Sequence, residues 1–285
     1  MVLIIGKGGV GKTTVAAGLA AAEAKRRGKA ALVEFGDGEA GRRALGTKHR
    51  EVDHVVLEPQ SAITRLGGAV VGSDLLARAV LENFAISRFL GAAPAVRELA
   101  MLENVRAVSA ERPDRRVFVD MPATGHGVAW LRVPAQMRTL LGSGPLFDVT
   151  DRLCRELVAP GRVSIVLCTL PEHLVILETL ELWQAMTREV GLSPSRLVIN
   201  RFPPDLSPEA VALARRASER AEGEARAALD TLVVTLEARA AAWAEASAVQ
   251  DRAARETGVP PLVLPQLPVD ADASAAASWL AGALP

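Results

Sequence analysis

The chain contains no tyrosine, and aromatic residues make up only 4% of its 285 positions. Proteins that bind single-stranded nucleic acid stack the bases on aromatic side chains, so this composition argues against that role. The 33 basic and 33 acidic residues balance to a net charge of zero. No overall electrostatic field therefore attracts nucleic acid or an anionic membrane, and we expect neither as a partner.

Cysteine and histidine are few and scattered. The two cysteines, Cys154 and Cys168, have apolar neighbours and form no C-x-x-C pair, a pattern typical of buried free thiols. The four histidines show no zinc-ligand spacing, so we expect no structural zinc.

Long apolar runs are also missing. None approaches the roughly 20 residues that span a bilayer, and the first residues resemble no secretory signal. We therefore expect a cytoplasmic protein without stable membrane insertion. Apolar residues nevertheless make up 49% of the chain, enough for a sizeable core, and we predict one domain over residues 1–285.

A glycine-rich motif follows the first apolar run. Residues 6–13 read GKGGVGKT and match G-x-x-x-x-G-K-[ST]. The glycines let backbone N–H groups converge on phosphate oxygens, and a following helix adds the positive end of its dipole. In such a loop Lys12 reaches the β- and γ-phosphates and the Thr13 hydroxyl ligates Mg²⁺. The predicted nucleotide-binding residues here are Gly8, Gly9, Val10, Gly11, Lys12, Thr13 and Thr14.

The sequence around the motif supports this interpretation. Residues 2–5 are wholly apolar, as in a buried parallel strand, and residues 14–27 are rich in the helix formers Ala and Leu. Strand, loop and helix follow one another in the order that a phosphate loop requires. The alternative is a glycine-rich turn with a chance lysine. We predict that ATP or ADP binds here together with Mg²⁺.

Lys7 places a second lysine near the start of the loop. In this respect K-G-G-V-G-K-T-T resembles the deviant Walker A motif of the MinD, ParA, nitrogenase iron-protein and arsenite-pump ATPases. The resemblance implies that Lys7 crosses a dimer interface to the partner's nucleotide, in a homodimer or in a heterodimer with a paralogue. From the sequence alone, Lys7 can equally be a solvated loop residue.

The most specific resemblance follows a predicted strand at residues 116–120. DMPATGH at 120–126, with WLRVP at 130–134, is similar to the D-T-A-P-T-G-H…L-x-x-P second switch of the ArsA family. That family includes the arsenite pump and the ATPase that delivers tail-anchored membrane proteins. The resemblance implies that Asp120 holds a water on Mg²⁺ and that His126 is a switch residue. Pro and Ala are exchanged relative to the family pattern.

The first switch matches the family less well. A predicted strand at 30–35 ends in Gly-Asp-Gly-Glu, and the family aspartate that orients the attacking water would fall near Gly36. Asp37 follows one residue later and can fill this role through a shifted loop. Alternatively Glu34 or Glu39 substitutes, the activity is weak, or Asp37 simply forms a turn.

Three helical segments accompany the predicted sheet, at about 61–110, 136–160 and 207–256. The first is longer than a strand-to-strand crossover needs, which predicts an inserted helical subdomain. The resemblance implies that the first two close over a client groove; packing against the sheet is the alternative. The third is too long for one helix of a compact body, so we expect a break. Its apolar face at 229–243 is expected to pack on the sheet or a partner.

The remaining segments are predicted strands and a tail helix. The strands lie at 163–168, 197–201 and 259–265, and the helix at 271–284. Asn200 ends one strand; in the related ATPases an asparagine there reads the adenine edge, although a turn-forming Asn is an alternative. The tail lacks the basic residues of a membrane-targeting helix.

Together these patterns predict a doubly wound, mainly parallel α/β sheet of the P-loop NTPase type. We expect a dimeric Mg-ATP-dependent switch that handles a protein client. Lys12 and Lys7 would stabilise transition-state charge while Asp37 positions the water. The alternatives are a non-hydrolysing scaffold or heterodimer subunit, and a ParA/MinD-like positioning ATPase that binds DNA or lipid.

Overall fold

A computed structural model of the chain describes residues 1–71, 94–122, 127–268 and 271–283. These residues contain a seven-stranded parallel sheet with the order β3-β2-β4-β1-β5-β6-β7. The strands are β1 (Val2–Ile5), β2 (Ala30–Phe35), β3 (Val52–Leu57), β4 (Arg116–Asp120), β5 (Ser164–Thr169), β6 (Arg196–Phe202) and β7 (Leu262–Pro265). The predicted fold class is confirmed.

Helices cover both faces of the sheet. In chain order they are α1 (Lys12–Arg27), α2 (Glu39–Leu45), α3 (Pro59–Val71), α4 (Pro94–Ala110), α5 (Gly127–Leu141), α6 (Pro145–Glu156), α7 (His173–Ala185), α8 (Pro208–Arg220), α9 (Gly223–Thr257) and α10 (Ala273–Ala283). A π-helical turn, Met186–Val190, continues α7. Within the described ranges, no helix is both long and apolar enough to cross a bilayer.

Two apolar cores lie on the two sides of the sheet because successive strand residues point to opposite faces. In β1, Leu3 and Ile5 join the core formed with helices including α3 to α7 and the end of α9. Val2 and Ile4 join the smaller core beneath α1, α2 and α10. This double burial explains why β1 is wholly apolar.

The central strand is β1, which pairs in parallel with β4 on one side and β5 on the other. The chain runs from β1 to β2 on one side and later crosses from β4 to β5 on the other. In open α/β sheets, ligands bind at the carboxyl ends of the strands where the strand order reverses. The glycine-rich motif lies at this point.

The segment predicted as helical at 136–160 contains two helices and starts earlier than expected. α5 begins at Gly127 and passes through Pro134, whereas the predicted segment began after that proline. Gly142 and Gly144 then adopt positive φ angles of 65° and 99°, and Pro145 opens α6. Two glycines with positive φ so close together interrupt a helix, and proline favours the first turn of the next one.

The break predicted within residues 207–256 is confirmed. The Ser207 hydroxyl accepts a hydrogen bond from the Glu209 N–H at the start of α8, and Ala221 and Glu222 are extended. Helix α9 packs mainly on α8, and Trp243, at the end of the apolar face 229–243, packs against the main core. The expected contact of this face with a partner stays a prediction. In α9 only Ala246, Val249 and Ala253 are fully buried.

Two strand boundaries also differ from the sequence patterns. Edge strand β3 was not predicted, and its four central residues are only partly buried. β7 begins at Leu262 rather than at residue 259, because Pro260 and Pro261 have no N–H to donate to a ladder.

In the first helical insert, α3 and α4 pack on each other and the Asn104 amide donates to the Ala62 carbonyl at 3.2 Å. The middle of that insert, 72–93, lies outside the described residues.

Candidate nucleotide-binding site

The glycine-rich loop joins β1 to α1, as predicted. Gly9 and Gly11 adopt left-handed φ angles of 81° and 89°. A Cβ on Gly6 would lie 2.3 Å from the carbonyl oxygen of Cys168 in β5. Glycine is therefore required for both the curvature of the loop and its close approach to the neighbouring strand.

Lys12 lies inside this loop. Its side chain is 6% exposed, and Nζ donates a hydrogen bond of 2.9 Å to the Lys7 carbonyl. Burial lowers the pKa of Lys12, while the charge of the nearby Asp120 carboxylate opposes that shift. The Lys12 ammonium thus lies on the inner side of the loop. Phosphate oxygens can replace the Lys7 carbonyl there as its hydrogen-bond acceptors.

Thr13 and Asp120 meet at the tips of α1 and β4. The Thr13 hydroxyl donates to Asp120 Oδ2 at 2.5 Å. Asp120 is 8% exposed, and its Oδ1 is buried without a hydrogen-bond partner. Burial raises the pKa of Asp120 to about 6, the Thr13 hydrogen bond and the Lys12 charge lower it, and the Glu34 charge raises it again.

These two side chains fit a magnesium site. Mg²⁺ is usually held by one or two protein oxygens, with waters and substrate phosphates completing its octahedron. The unpaired Asp120 Oδ1 is an oxygen acceptor beside the Thr13 hydroxyl. In the described part of the chain, no group of three or more His, Cys, Asp or Glu side chains offers a complete protein cage. When bound, the cation would neutralise phosphate charge.

Lys7 forms an ion pair with Glu178 on α7. The two Nζ–Oε distances are 2.9 and 2.7 Å, and both side chains are about half exposed. Within this single chain the partner of Lys7 is thus Glu178, and the role of Lys7 across a dimer interface stays a prediction. The two residues lie 171 positions apart, so no local sequence pattern links them.

A groove of about 780 Å³ opens beside Lys7. The phosphate loop forms one wall, and α5 and α7 supply the others. An ion pair of 2.6 Å between Arg132 and Glu189 joins α5 to the π-helical turn at this groove. The apolar residues that line the groove are Val128, Ala129, Leu182 and Ala185.

Asn200, predicted to contact the base, lies against the phosphate loop. Its Nδ2 donates to the Val10 carbonyl at 2.9 Å. A Cβ on Gly11 would lie 2.3 Å from the same Nδ2, so Asn200 packs directly on the loop. Its Oδ1 remains available as an acceptor for a ligand.

A second cavity, of about 390 Å³, extends from Gly11, Thr14 and Asn200 to the loop after β7 and to α10. Arg201, on its wall, has a φ of 57° and is the one non-glycine residue with positive φ in the described ranges. Such backbone conformations cost energy and concentrate at functional sites. The contribution of α10 to this cavity was not predicted. The helical residues in its wall are Ala273, Ala276, Trp279 and Leu280.

The first-switch acids make local contacts. Asp37 is exposed, and its Oδ1 accepts a hydrogen bond of 2.9 Å from the Glu39 N–H. Glu34 is buried, accepts from the Gly41 N–H at 2.9 Å and contacts His54 Nε2 at 3.0 Å. Neither acid has a hydrogen bond to the phosphate loop among the described contacts, so the water-positioning role of Asp37 stays a prediction. Glu34 lies opposite Asp120 in the sheet register.

Of the predicted second switch, residues 120–122 and 127–134 are described. Asp120 closes β4, and α5 begins at Gly127, where a Cβ would lie 2.7 Å from Cγ2 of Ile5. His126 and the other residues at 123–126 lie outside the described part of the chain.

Comparisons with known proteins agree with this geometry. The chain is 25% identical over 244 residues to ATPase BagA of Mycobacterium tuberculosis. The match covers 78% of this chain and 69% of that protein. A Mycobacterium bovis protein that carries a provisional ATPase name has the same identity and coverage. The family model described as the CobQ/CobB/MinD/ParA nucleotide binding domain matches residues 1–227. Because that match covers most of the sequence, including the phosphate loop, Asp120 and Asn200, the chain belongs to the CobQ/CobB/MinD/ParA nucleotide-binding domain family.

Proposed function

We propose that this protein is a Mg-ATP-dependent ATPase of the ArsA-like type, in which the nucleotide cycle opens and closes a dimer that handles a protein client. The observation that carries the proposal is the Thr13–Asp120 pair, with one unpaired carboxylate oxygen, beside the buried Lys12. A hydroxyl, a carboxylate and an ammonium at a helix N-terminus together match the needs of a metal-bound triphosphate.

Hydrolysis is supported by the family and by the ATPase names of the relatives. Lys12 would stabilise charge on the transferred phosphoryl group from inside the loop. Asp37 would orient the attacking water after movement of the loop between β2 and α2.

Dimerisation is supported by the position of Lys7. Its ammonium lies at the surface, where the exposed carboxylate of Glu178 is its one ion-pair partner among the described residues. An exposed ion pair contributes little stability, so the exchange of Glu178 for a partner's phosphate has a low cost. The dimer is either a homodimer or a heterodimer with a paralogue.

Client binding is supported by the groove beside Lys7. Its apolar lining comes from α5, which follows the second switch, and from α7, which carries Glu178. Both helices also expose a leucine, Leu140 on α5 and Leu174 on α7. A nucleotide-dependent shift of α5 would therefore change the width of an apolar surface.

A non-hydrolysing scaffold is the second candidate. It is favoured by the local contact of Asp37 with Glu39 and by Gly36 at the position where related ATPases carry the acid. Nucleotide binding without turnover would support this candidate, and sustained turnover would exclude it.

The first experiment measures phosphate release from ATP by the wild type and by Lys12→Ala and Asp37→Asn variants, with nucleotide binding measured separately. We expect turnover in the wild type, no turnover in Lys12→Ala, and retained binding without turnover in Asp37→Asn. If the wild type binds ATP and releases no phosphate, alone or with a paralogue, the ATPase proposal is wrong.

The second experiment measures the molar mass by light scattering with Mg-ATP, with Mg-ADP and without nucleotide. We expect a dimer with Mg-ATP that Lys7→Ala weakens while nucleotide binding persists. Capture of only DNA or lipid in the ATP state would instead support a positioning ATPase.

A further inference from the structure

We propose that Trp279, on the C-terminal helix α10, is the platform on which the purine base of the bound nucleotide stacks. The inference rests on the proposed function, since it requires a nucleoside triphosphate in the phosphate loop. It assigns a role to a helix that the sequence patterns left without one.

The position of the cavity leads to this residue. The cavity begins at Gly11 and Thr14, which follow the phosphate-binding part of the loop, and it ends at α10. A triphosphate held by Lys12 and Thr13 would therefore extend its nucleoside along this cavity. Asn200 lies on the wall between the two ends.

The chemistry of the wall supports stacking. Trp279 is the single aromatic side chain among the described residues that line the cavity, and it is 39% exposed. Ala273 and Ala276, on the same side of α10, are small and leave space beside the indole. Exposure of apolar indole surface to water in an open cavity is unfavourable, and stacking of the same surface on a planar base is favourable.

Helix α10 is held firmly enough to keep the indole in place. Ala277 is fully buried, and a Cβ on Gly18 of α1 would lie 2.6 Å from Cβ of Leu280. The Ser278 hydroxyl lies 3.0 Å from His49 Nε2 in the segment after α2. Because α1 also carries Lys12 and Thr13, one helix positions both the phosphate groups and the base platform. Such preorganisation lowers the entropic cost of binding.

Trp279 and Asn200 then divide base recognition between them. The indole contacts the face of the base, which adenine and guanine share. Because Nδ2 of Asn200 donates a hydrogen bond to the Val10 carbonyl, its Oδ1 is left to accept one from the base edge, where the two purines differ. Trp279 should therefore set the affinity for any purine nucleotide, and Asn200 the choice between them.

The test compares the binding of ATP, GTP and inorganic tripolyphosphate, each with Mg²⁺, to the wild type and to Trp279→Ala and Trp279→Phe variants by calorimetry. We expect Trp279→Ala to weaken ATP and GTP about tenfold and to leave tripolyphosphate unchanged, because only the nucleotides carry a base. Trp279→Phe should keep most of the affinity. Equal loss for all three ligands, or no loss for ATP, would overturn the inference.

Fluorescence supplies a reading that a structural role would not move. We expect ATP to quench indole emission in the wild type, and the quench to disappear in Trp279→Phe while binding persists. In the control Trp243→Phe, on α9, the quench should remain. A Lys12→Ala variant that binds ATP and tripolyphosphate as tightly as the wild type would indicate failure of the proposed function rather than of the role of Trp279.

Discussion

At the scale of single residues, Asp120 shows a conflict between stability and function. A buried carboxylate with an unpaired oxygen is costly to keep ionised, and burial raises the pKa of Asp120 to about 6. A bound cation removes this cost by supplying the missing positive charge. The nucleotide-free protein therefore carries a local destabilisation, which Mg-nucleotide would relieve if it binds as proposed.

This conflict predicts the pH dependence of an Asp120→Asn variant. Because burial raises the folded-state pKa to about 6, from 3.8 for an ordinary aspartate, the wild type loses stability as pH rises from about 4 to about 6. The variant does not titrate, so its advantage should grow over that range to about 3 kcal/mol. Urea titrations of the nucleotide-free proteins between pH 4 and 7 measure the difference.

Asp114 gives an opposite control. Lys29 and Arg115 lower the pKa of this exposed carboxyl to about 2, so its ionised form favours folding. An Asp114→Asn variant should be slightly less stable than the wild type at neutral pH, and the difference should close as the pH falls below about 4. A pH-independent advantage of Asp120→Asn would contradict the assigned pKa shift.

The Lys7–Glu178 pair predicts an effect on activity rather than stability. In Glu178→Gln the ammonium is no longer held within its own chain, so we expect faster turnover, by about two- to fivefold, at protein concentrations where dimers form. The free energy of unfolding should change by less than about 1 kcal/mol, because the pair is exposed. Phosphate release at several protein concentrations and urea titration measure the two effects.

Glu237 provides the matched control for that prediction. It forms an exposed pair with Arg215 between α8 and α9, away from the phosphate loop. Glu237→Gln should change neither turnover nor its dependence on protein concentration. Slower turnover in Glu178→Gln would mean that Glu178 assists Lys7 rather than restrains it.

The sequence predicted the residues of the site that lie in continuous motifs. Lys12 and Thr13 are fixed by a loop of eight residues, and Asp120 ends a recognisable buried strand. The sequence did not predict the ion pair of Glu178 with Lys7 or the position of Trp279 in the cavity wall. Both depend on how α7 and α10 pack against the phosphate loop and α1. Such contacts are set by tertiary packing, which periodicity does not encode.

At the scale of secondary-structure elements, the docking of α10 on α1 depends on Gly18. A Cβ there would meet Leu280 at 2.6 Å and the Ala277 carbonyl at 3.3 Å. We expect Gly18→Ala to destabilise the protein by about 1–3 kcal/mol despite its better helix propensity, because α10 must move. Thermal and urea unfolding measure the change.

Gly282 offers a control within the same pair of helices. It lies in α10, and a Cβ there would meet nothing within 4 Å. Gly282→Ala should therefore be neutral or slightly stabilising. Equal destabilisation by both substitutions would show that α10 does not depend on the Gly18 contact.

The boundaries of the elements were predictable where local chemistry decides them. Ser207 and Pro208 mark the start of α8, and the length of the following segment required a break. The early start of α5 was missed because Pro134 normally argues against a helix interior. Edge strand β3 was missed because its partly buried residues show no clear alternation.

At the scale of the whole molecule, the shared sheet predicts cooperative unfolding. Both apolar cores include residues of the same central strands, so we expect the two cores to unfold together. We expect one calorimetric transition, and Mg-ATP at about 100 times its Kd should stabilise it by about 2.7 kcal/mol. Two transitions would contradict a single domain.

The longest helix gives the molecule a mechanical property. α9 has 35 residues, and its fully buried residues, Ala246, Val249 and Ala253, lie in its last third and join the core that also contains α7 residues. The preceding part of α9 is roughly 34 Å long and packs mainly on α8. A tilt of about 5° at the buried end would displace the tip by about 3 Å. A small motion of the helix that carries Glu178 would thus be amplified at the far end of a rigid lever.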